Sequence, residues 1–207
     1  MSPSRKEKAA ATRRRMMSAA CRVFSERGYG GTTMEAVATE AGVAVQTLYY
    51  TFRTKSDLLQ ATYEWAVRDD GPHPHESQWW QAVETADNVH DAVGHLVAGT
   101  VPILERAAPL VWVVRSDEDA RATYDFNEKL RIDGNQKLIE MLVAKQPLRA
   151  GLSLTHARDI LLALTGPQQY QLLISEYGWS REDYAEWVTG AVLRELFGVE
   201  PDSTETR

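Results

Sequence analysis

A single cysteine among 207 residues, Cys21, rules out an internal disulfide. Set among Met17, Ala20 and Phe24, it reads as a small buried apolar side chain. Long apolar runs are missing too. The longest are five residues, 110–114 and 160–164, too short to cross a bilayer as continuous apolar spans. Eight prolines and thirteen glycines are too few for a collagen-like or low-complexity chain. The basic start is not followed by an apolar stretch of signal-peptide length before Arg22, which predicts a cytoplasmic protein without membrane attachment. Metal and catalytic groupings are equally sparse. His73, His75 and Glu76 share a loop, but their spacing matches no structural metal site. His90, His95 and His156 fall on separate helical faces and form no acid-base or nucleophile group with Cys21 or a serine. Neither a metal, nor a cofactor, nor catalysis is expected.

What remains is an ordinary globular composition, 43% hydrophobic and 25% charged, with length for one or two domains. Its charge is unevenly placed. Residues 1–55 hold ten Lys/Arg against four acids, +6, in a chain whose net charge is −6, so the rest carries −12. A compact basic end on an acidic protein points to a polyanion at that end and a separate task for the remainder. All six tryptophans lie beyond residue 60, where large amphipathic rings would build a core or an apolar pocket.

Periodicity predicts an all-α chain. A first helix over 8–27 places Met16, Ala20, Val23 and Phe24 at helical spacing and ends at Gly28. Thr32 and Glu35 fit a capping box that opens a second, short helix with the stripe Met34, Val37, Ala38, Ala41, stopped by Gly42. A third run starts almost at once. Val45, Leu48, Tyr49 and Phe52 fall within an arc of about 100°, while Gln46, Thr47, Tyr50 and Thr51 take the opposite arc.

Two short helices joined by a tight glycine turn and packed on a longer one describe a helix-turn-helix. The outward arc of its second helix has the chemistry to read bases. Gln46 can bond an adenine edge, Thr47 can offer a hydroxyl or a methyl, and Tyr50 can pack on a thymine methyl or bond an acceptor. Phosphates would be held by Thr33 at a helix N-terminus, the Tyr49 hydroxyl, Lys55 and the basic arm before residue 16.

The stretch 23–59, VFSERGYGGTTMEAVATEAGVAVQTLYYTFRTKSDLL, resembles the DNA-binding domain of the tetracycline-repressor (TetR) family of bacterial transcriptional regulators. The elements that coincide are Phe24 with Gly28 and Tyr29, Thr32-Thr33, Ala41-Gly42-Val43, Leu48-Tyr49, Phe52, and Lys55 with Leu58. Gly166-Pro167, the run 170–176, Gly178-Trp179-Ser180 and Trp187 resemble the family's last two helices. The resemblance implies a two-domain, all-helical homodimer that binds a palindromic operator in double-stranded DNA and lets go when a small molecule occupies the C-terminal domain. It implies base-facing roles for Gln46, Thr47 and Tyr50 and phosphate-holding roles for Thr33, Tyr49 and Lys55. Two positions depart from the family pattern: Val45, commonly polar or basic there, and Ala44, commonly the Ser or Thr that caps the recognition helix. Losing such a cap costs about 1 kcal/mol.

Beyond the helix-turn-helix domain, taken as 1–55, a helical domain is expected over 56–198 and a polar tail over 199–207. Within it the pattern predicts helices over 56–69, capped by Ser56; 88–105, bent by Pro102; 118–145, with Phe126, Leu130, Leu138, Met141 and Leu142 inward and Ile132, Gln136, Ile139 and Val143 on another arc; 155–176; and 181–197. Ser180 and Asp183 are spaced as a capping box. The last two helices are apolar on more than one face. A four-helix bundle with a second copy would cover both, through Leu161, Leu164, Leu172, Tyr184, Val188, Ala191 and Val192; the alternative is burial inside one chain. Candidate pocket residues for an unidentified, mostly apolar effector are Trp65, Trp80, Thr100, Trp112, Tyr124, Asn127 and Gln168. The rival to a ligand-responsive repressor is an all-helical ligand-binding protein or enzyme whose basic N-terminus serves another partner.

Overall fold

The computed structural model describes residues 4–199, and these divide into two units, each with its own core. Helices alternate with turns throughout, with no strand among the described residues.

The first unit combines α1 (Arg5–Arg27), α2 (Met34–Ala41), α3 (Val45–Phe52) and α4 (Lys55–Arg68) with the segment Pro109–Phe126. α1 begins earlier than its apolar pattern predicts, because Ser4 and Glu7 close a reciprocal capping box. It buries Met16, Met17, Ala20, Val23 and Phe24 and ends at Gly28, whose φ of 70° suits glycine. Two helix starts differ from expectation. The cap of α2 is Thr33, whose side chain accepts from Ala36 N–H, and not Thr32. The Thr32 hydroxyl is used elsewhere: it is buried and donates to the carbonyls of Gly28 and Val23 at 2.7 and 3.3 Å. α4 is capped by Thr54, through Asp57 N–H, and not by Ser56. α3 has no side-chain cap at Ala44, as expected, and Gly42 ends α2 in the left-handed region. The boundary at residue 55 is also corrected. α4 packs on α1 and α3 with Leu58, Leu59, Thr62 and Ala66 buried, so it belongs to the first unit. The segment 109–126 adds buried Leu110, Val111, Val113, Val114 and Ala120, and its 3₁₀ turn, Glu118–Ala120, packs on α4.

The second unit comprises Gly71–Ala108 and the residues from Asn127 onward. It holds α5 (Gln78–Thr85), most of α6 (Val89–Ser116) and of α7 (Arg121–Val143), α8 (Leu154–Leu164), α9 (Pro167–Gln171) and α10 (Arg181–Val192). Turns of π-helix follow α9, at Leu172–Glu176, and α10, at Leu193–Phe197. Trp80, Val83, Val93, Leu96, Val97, Ile139, Leu142, Leu161, Tyr184, Val188 and Val192 are among the buried members of one core. α6 does not stop near Pro102 but runs through it and Pro109 to Ser116. Each proline removes one helical hydrogen bond, and the burial of Val101, Leu104, Ala107, Leu110 and Val111 along the same helix offsets that loss. Among the described residues α6 alone is long and apolar enough to cross a membrane, yet half of its most apolar window is buried inside the protein, as befits a core helix. The helix expected over 155–176 is broken instead: Pro167 forces extended backbone on Gly166, which then caps α9. On α7, Phe126 and Leu130, expected inward, are about half exposed (54% and 55%), and Ile139, assigned to the other arc, is fully buried.

Candidate nucleic-acid interface

α3 separates its residues by face as its period dictates. Leu48 and Phe52 are buried under the first unit, while Gln46, Thr47 and Tyr50 are exposed, and Tyr50 is 91% exposed. A phenol ring left this bare on an eight-residue helix, beside an amide and a hydroxyl, is a surface with donors, acceptors and an apolar contact and no internal partner for the ring. Tyr49 is 44% exposed, at the edge between the two faces. The half-buried Thr51 uses its hydroxyl to donate to the Thr47 carbonyl of its own helix at 2.8 Å.

The three candidate phosphate contacts flank this face in the same unit. Thr33 is exposed at the start of α2, where the first-turn N–H groups make an anion-binding end. Lys55, at the start of α4, is only half exposed: its ammonium donates to the Tyr29 carbonyl at 2.8 Å and sits 4.1 Å from the Tyr29 ring centroid. It therefore serves the domain's own turn with one donor and has others to offer outward. Tyr29 stacks on Phe24 and is buried, and burial above all pushes its phenol pKa up. The carboxylates of Asp119 and Asp117 push the same way, and a hydrogen bond with Ser56 acts against them. Asp117 lies close to this turn, for a Cβ placed on Gly30 would come within 3.4 Å of its Oδ2.

One residue of this face was missed. Arg53 ends α3 with φ 51° and ψ −56°, and the Thr54 N–H donates to the Phe52 carbonyl across it, closing a three-residue turn of the strained, positive-φ kind. The side chain is exposed directly after the outward face of α3. Nothing in the local sequence announces this, since such a backbone normally calls for glycine. Arg13 of α1 lies over the Phe52 ring at 5.1 Å and brings a second cation to the same end of α3.

The expected pocket residues fall into two groups. Trp65, Trp112 and Tyr124 belong to the first unit, and Trp80, Thr100, Asn127 and Gln168 to the second. Trp80 is a core residue packed edge-on against Trp79. Trp112 is 48% exposed with Arg115 over its ring, and Arg115 and Arg121 lie over the Tyr124 ring, so both aromatics face arginine side chains. The Thr100 hydroxyl donates to the Leu96 carbonyl of its own helix. Trp65 keeps a buried indole N–H with no hydrogen-bond partner among the described residues.

Of the seven bundle residues expected to meet a second copy, five lie buried within this chain. Leu161, Tyr184, Val188 and Val192 are buried in the chain's own core, and Ala191 is buried as well, so their side chains have no surface left to share. Tyr184 donates to the Leu164 carbonyl at 3.2 Å and meets Tyr170 edge-on, and burial drives its phenol pKa far upward. Leu164 and Leu172 remain partly exposed, and exposed Leu154 and Tyr177 lie on the same part of the chain. His73 and His75 stack on each other, and Glu76 caps their 3₁₀ turn; no group that could hold a metal occurs among the described residues.

Residues 16–62 match the family described as bacterial regulatory proteins, tetR family. Over 64 residues the chain is 34% identical to the HTH-type transcriptional regulator AcrR of Shigella flexneri, a match that covers 31% of this chain and 30% of that protein, less than a third of either. In three dimensions it is similar to NalD, the secondary repressor of the MexAB-OprM multidrug efflux pump in Pseudomonas aeruginosa. The TM-score is 0.70 at 21% identity, over 92% of this chain and 98% of the other. It is also similar to the transcriptional regulator FadR from Bacillus subtilis, solved in complex with stearoyl-CoA, with a TM-score of 0.68 at 15% identity over 90% and 98%. At these identities the structural likeness is one of fold.

Proposed function

We propose that this chain, whose residues 16–62 match the family of bacterial regulatory proteins, tetR family, is a cytoplasmic, DNA-binding transcriptional regulator of that family, a repressor, with α3 as its recognition helix. The observation that carries this is the bare outward face of α3: Tyr50 at 91% exposure with Gln46 and Thr47 beside it, over a buried Leu48 and Phe52. A major groove about 12 Å wide admits one such helix, with amide, hydroxyl and ring able to reach base edges. Thr33, Tyr49 and Lys55 then fix its register on the phosphates.

The protein acts as a homodimer. Its surface for the second copy includes the partly exposed Leu164 and Leu172 together with Leu154 and Tyr177. A twofold dimer reads a palindrome with half-sites 34 to 36 Å apart, or a multiple of that. A small, largely apolar effector releases the operator by favouring a spacing of the two α3 helices that no longer fits, and it can do so only by its differential affinity for the two states. The repressor NalD and the stearoyl-CoA complex of FadR support this reading by analogy of fold.

The test is a titration of the full chain against duplex from its own upstream region and against random duplex, each at two salt concentrations. Tighter, steeply salt-dependent binding to the upstream duplex is expected. Tyr50→Ala should narrow the gap between the two duplexes, whereas Lys55→Ala should weaken both alike. Equal binding of both duplexes by the unaltered protein would overturn the proposal.

A further inference from the structure

Within the first unit, Tyr29 collects contacts from several elements. Phe24 of α1 stacks on its ring, and Ser56 of α4 bonds its hydroxyl. Lys55, the residue before Ser56, donates to the Tyr29 carbonyl at 2.8 Å and lies 4.1 Å from the ring centroid. The same carbonyl accepts the Thr32 N–H at 3.2 Å, so the ammonium is fastened to the turn that leads into α2. A further contact comes from far along the chain. The 3₁₀ turn Glu118–Ala120 packs on α4, and its cap, Asp117, accepts the Asp119 N–H through one carboxylate oxygen at 3.0 Å. The other oxygen, Oδ2, lies at the Tyr29 turn, within 3.4 Å of where a Cβ on Gly30 would stand. Besides burial, the carboxylates of Asp119 and Asp117 push the Tyr29 phenol pKa up, so their field falls on that ring. Neither acid makes an ion pair among the described residues, and nor does Lys55. Two unpaired anions and one unpaired cation therefore meet around a single side chain.

We infer that the turn Asp117–Ala120 is a brake on DNA binding built into the first unit: its two carboxylates draw Lys55 inward onto Tyr29, and a phosphate gains this cation only by competing with them. The chemistry favours such a hold. A carbonyl oxygen and the face of a phenol ring are both electron-rich, and carboxylates beside them deepen the attraction for an ammonium. An ammonium turned inward has fewer of its three donors left for a phosphate. The competition is intramolecular and involves no base, so it acts on every duplex alike. It sets general affinity, while the choice of sequence stays with α3.

The inference rests on the DNA-binding reading, and the test keeps the two apart. The full chain is titrated by anisotropy against fluorescein-labelled upstream and random duplexes at one fixed salt concentration. Asp119→Asn, which leaves the cap at 117 intact, should tighten both duplexes about twofold, and Asp117→Asn/Asp119→Asn about fourfold. The exposed Glu118 lies between them in the same turn but does not act on Tyr29, so Glu118→Gln, with the same charge change, should do less. In a Lys55→Gln background Asp117→Asn/Asp119→Asn should lose its effect, because no cation remains to be released. A tightening of equal size in that background would overturn the brake and leave only a distant field. Glu118→Gln matching Asp119→Asn would do the same, as would tightening on one duplex alone. If the parent prefers its upstream duplex but Asp119→Asn, folded as judged by circular dichroism, binds no tighter, the brake falls and the DNA reading stands. An unaltered protein that binds neither duplex would overturn both.

Discussion

Replacing Arg53 by glycine should make this protein more stable and a weaker DNA binder at once. Arg53 holds φ 51° and ψ −56° within a turn closed by the Thr54 N–H on the Phe52 carbonyl, a conformation open to glycine and strained for any side chain. Holding a non-glycine residue there costs about 1 to 3 kcal/mol. Glycine gives back about 0.5 to 1 kcal/mol through the entropy of the unfolded chain. The net gain is about 0 to 2.5 kcal/mol, which for a chain of this length corresponds to a rise in Tm of up to roughly 10 °C. The lost cation should meanwhile lower the salt slope of DNA binding by about 1. Arg53→Lys separates the two effects, because it keeps charge and strain together. Urea unfolding followed by far-UV circular dichroism gives the stabilities, and anisotropy on labelled duplex gives the slopes. A glycine variant less stable than the parent, or a lysine variant as stable as the glycine one, would refute the strain argument. A glycine variant with an unchanged slope would remove Arg53 from the interface.

Three further outcomes follow from particular contacts. A Cβ on Gly99 would stand 2.1 to 2.7 Å from carbons of the Trp79 ring, so Gly99→Ala should cost about 1 to 3 kcal/mol and shift tryptophan fluorescence; a variant with parental stability and spectrum would contradict the packing. Burial raises the Tyr184 phenol above its usual value of 10.0, so on raising the pH the unfolded chain ionises first. Its contribution is full below about pH 10 and is lost above it, at up to about 1.4 kcal/mol per pH unit. Urea unfolding between pH 8 and 11 should show this fall, and Tyr184→Phe should flatten it while losing about 1 kcal/mol with the bond to Leu164; an equally steep fall in the Phe variant would count against Tyr184 as the source. Asp117→Asn/Asp119→Asn removes two carboxylates near the Tyr29 turn and keeps a capping side chain at 117, so duplex affinity should rise about twofold per charge, and unchanged or weaker binding would disprove their influence.

Much of the outward face of α3 was legible because it depends on a single period. Once Leu48 and Phe52 are assigned inward, Gln46, Thr47 and Tyr50 must point the other way, whatever packs on the buried side. The uncapped start of α3 at Ala44 was equally plain, since alanine has no side-chain acceptor. Neighbouring hydroxyls were less decidable. Thr32 and Thr33 have the same chemistry, and only the Val23 and Gly28 carbonyls above Thr32 show which one is withdrawn from the cap. Thr54 and Ser56 posed the same choice at α4. Arg53 could not have been found, for its backbone is held by the α3-to-α4 turn around it.

Residue order alone determined that the chain is helical, where the basic end lies, and which side of α3 stays wet, because these follow from spacings of three and four residues and from charges that can be counted. Packing between distant segments decided the rest. It carried α6 through two prolines, drew 109–126 into the unit of α1 to α4, and buried Leu161, Tyr184, Val188 and Val192 within a single chain. A helix that is apolar on two faces records how much surface must be covered. It does not record whether its own chain or another will cover it, and that depends on contacts between residues far apart in sequence.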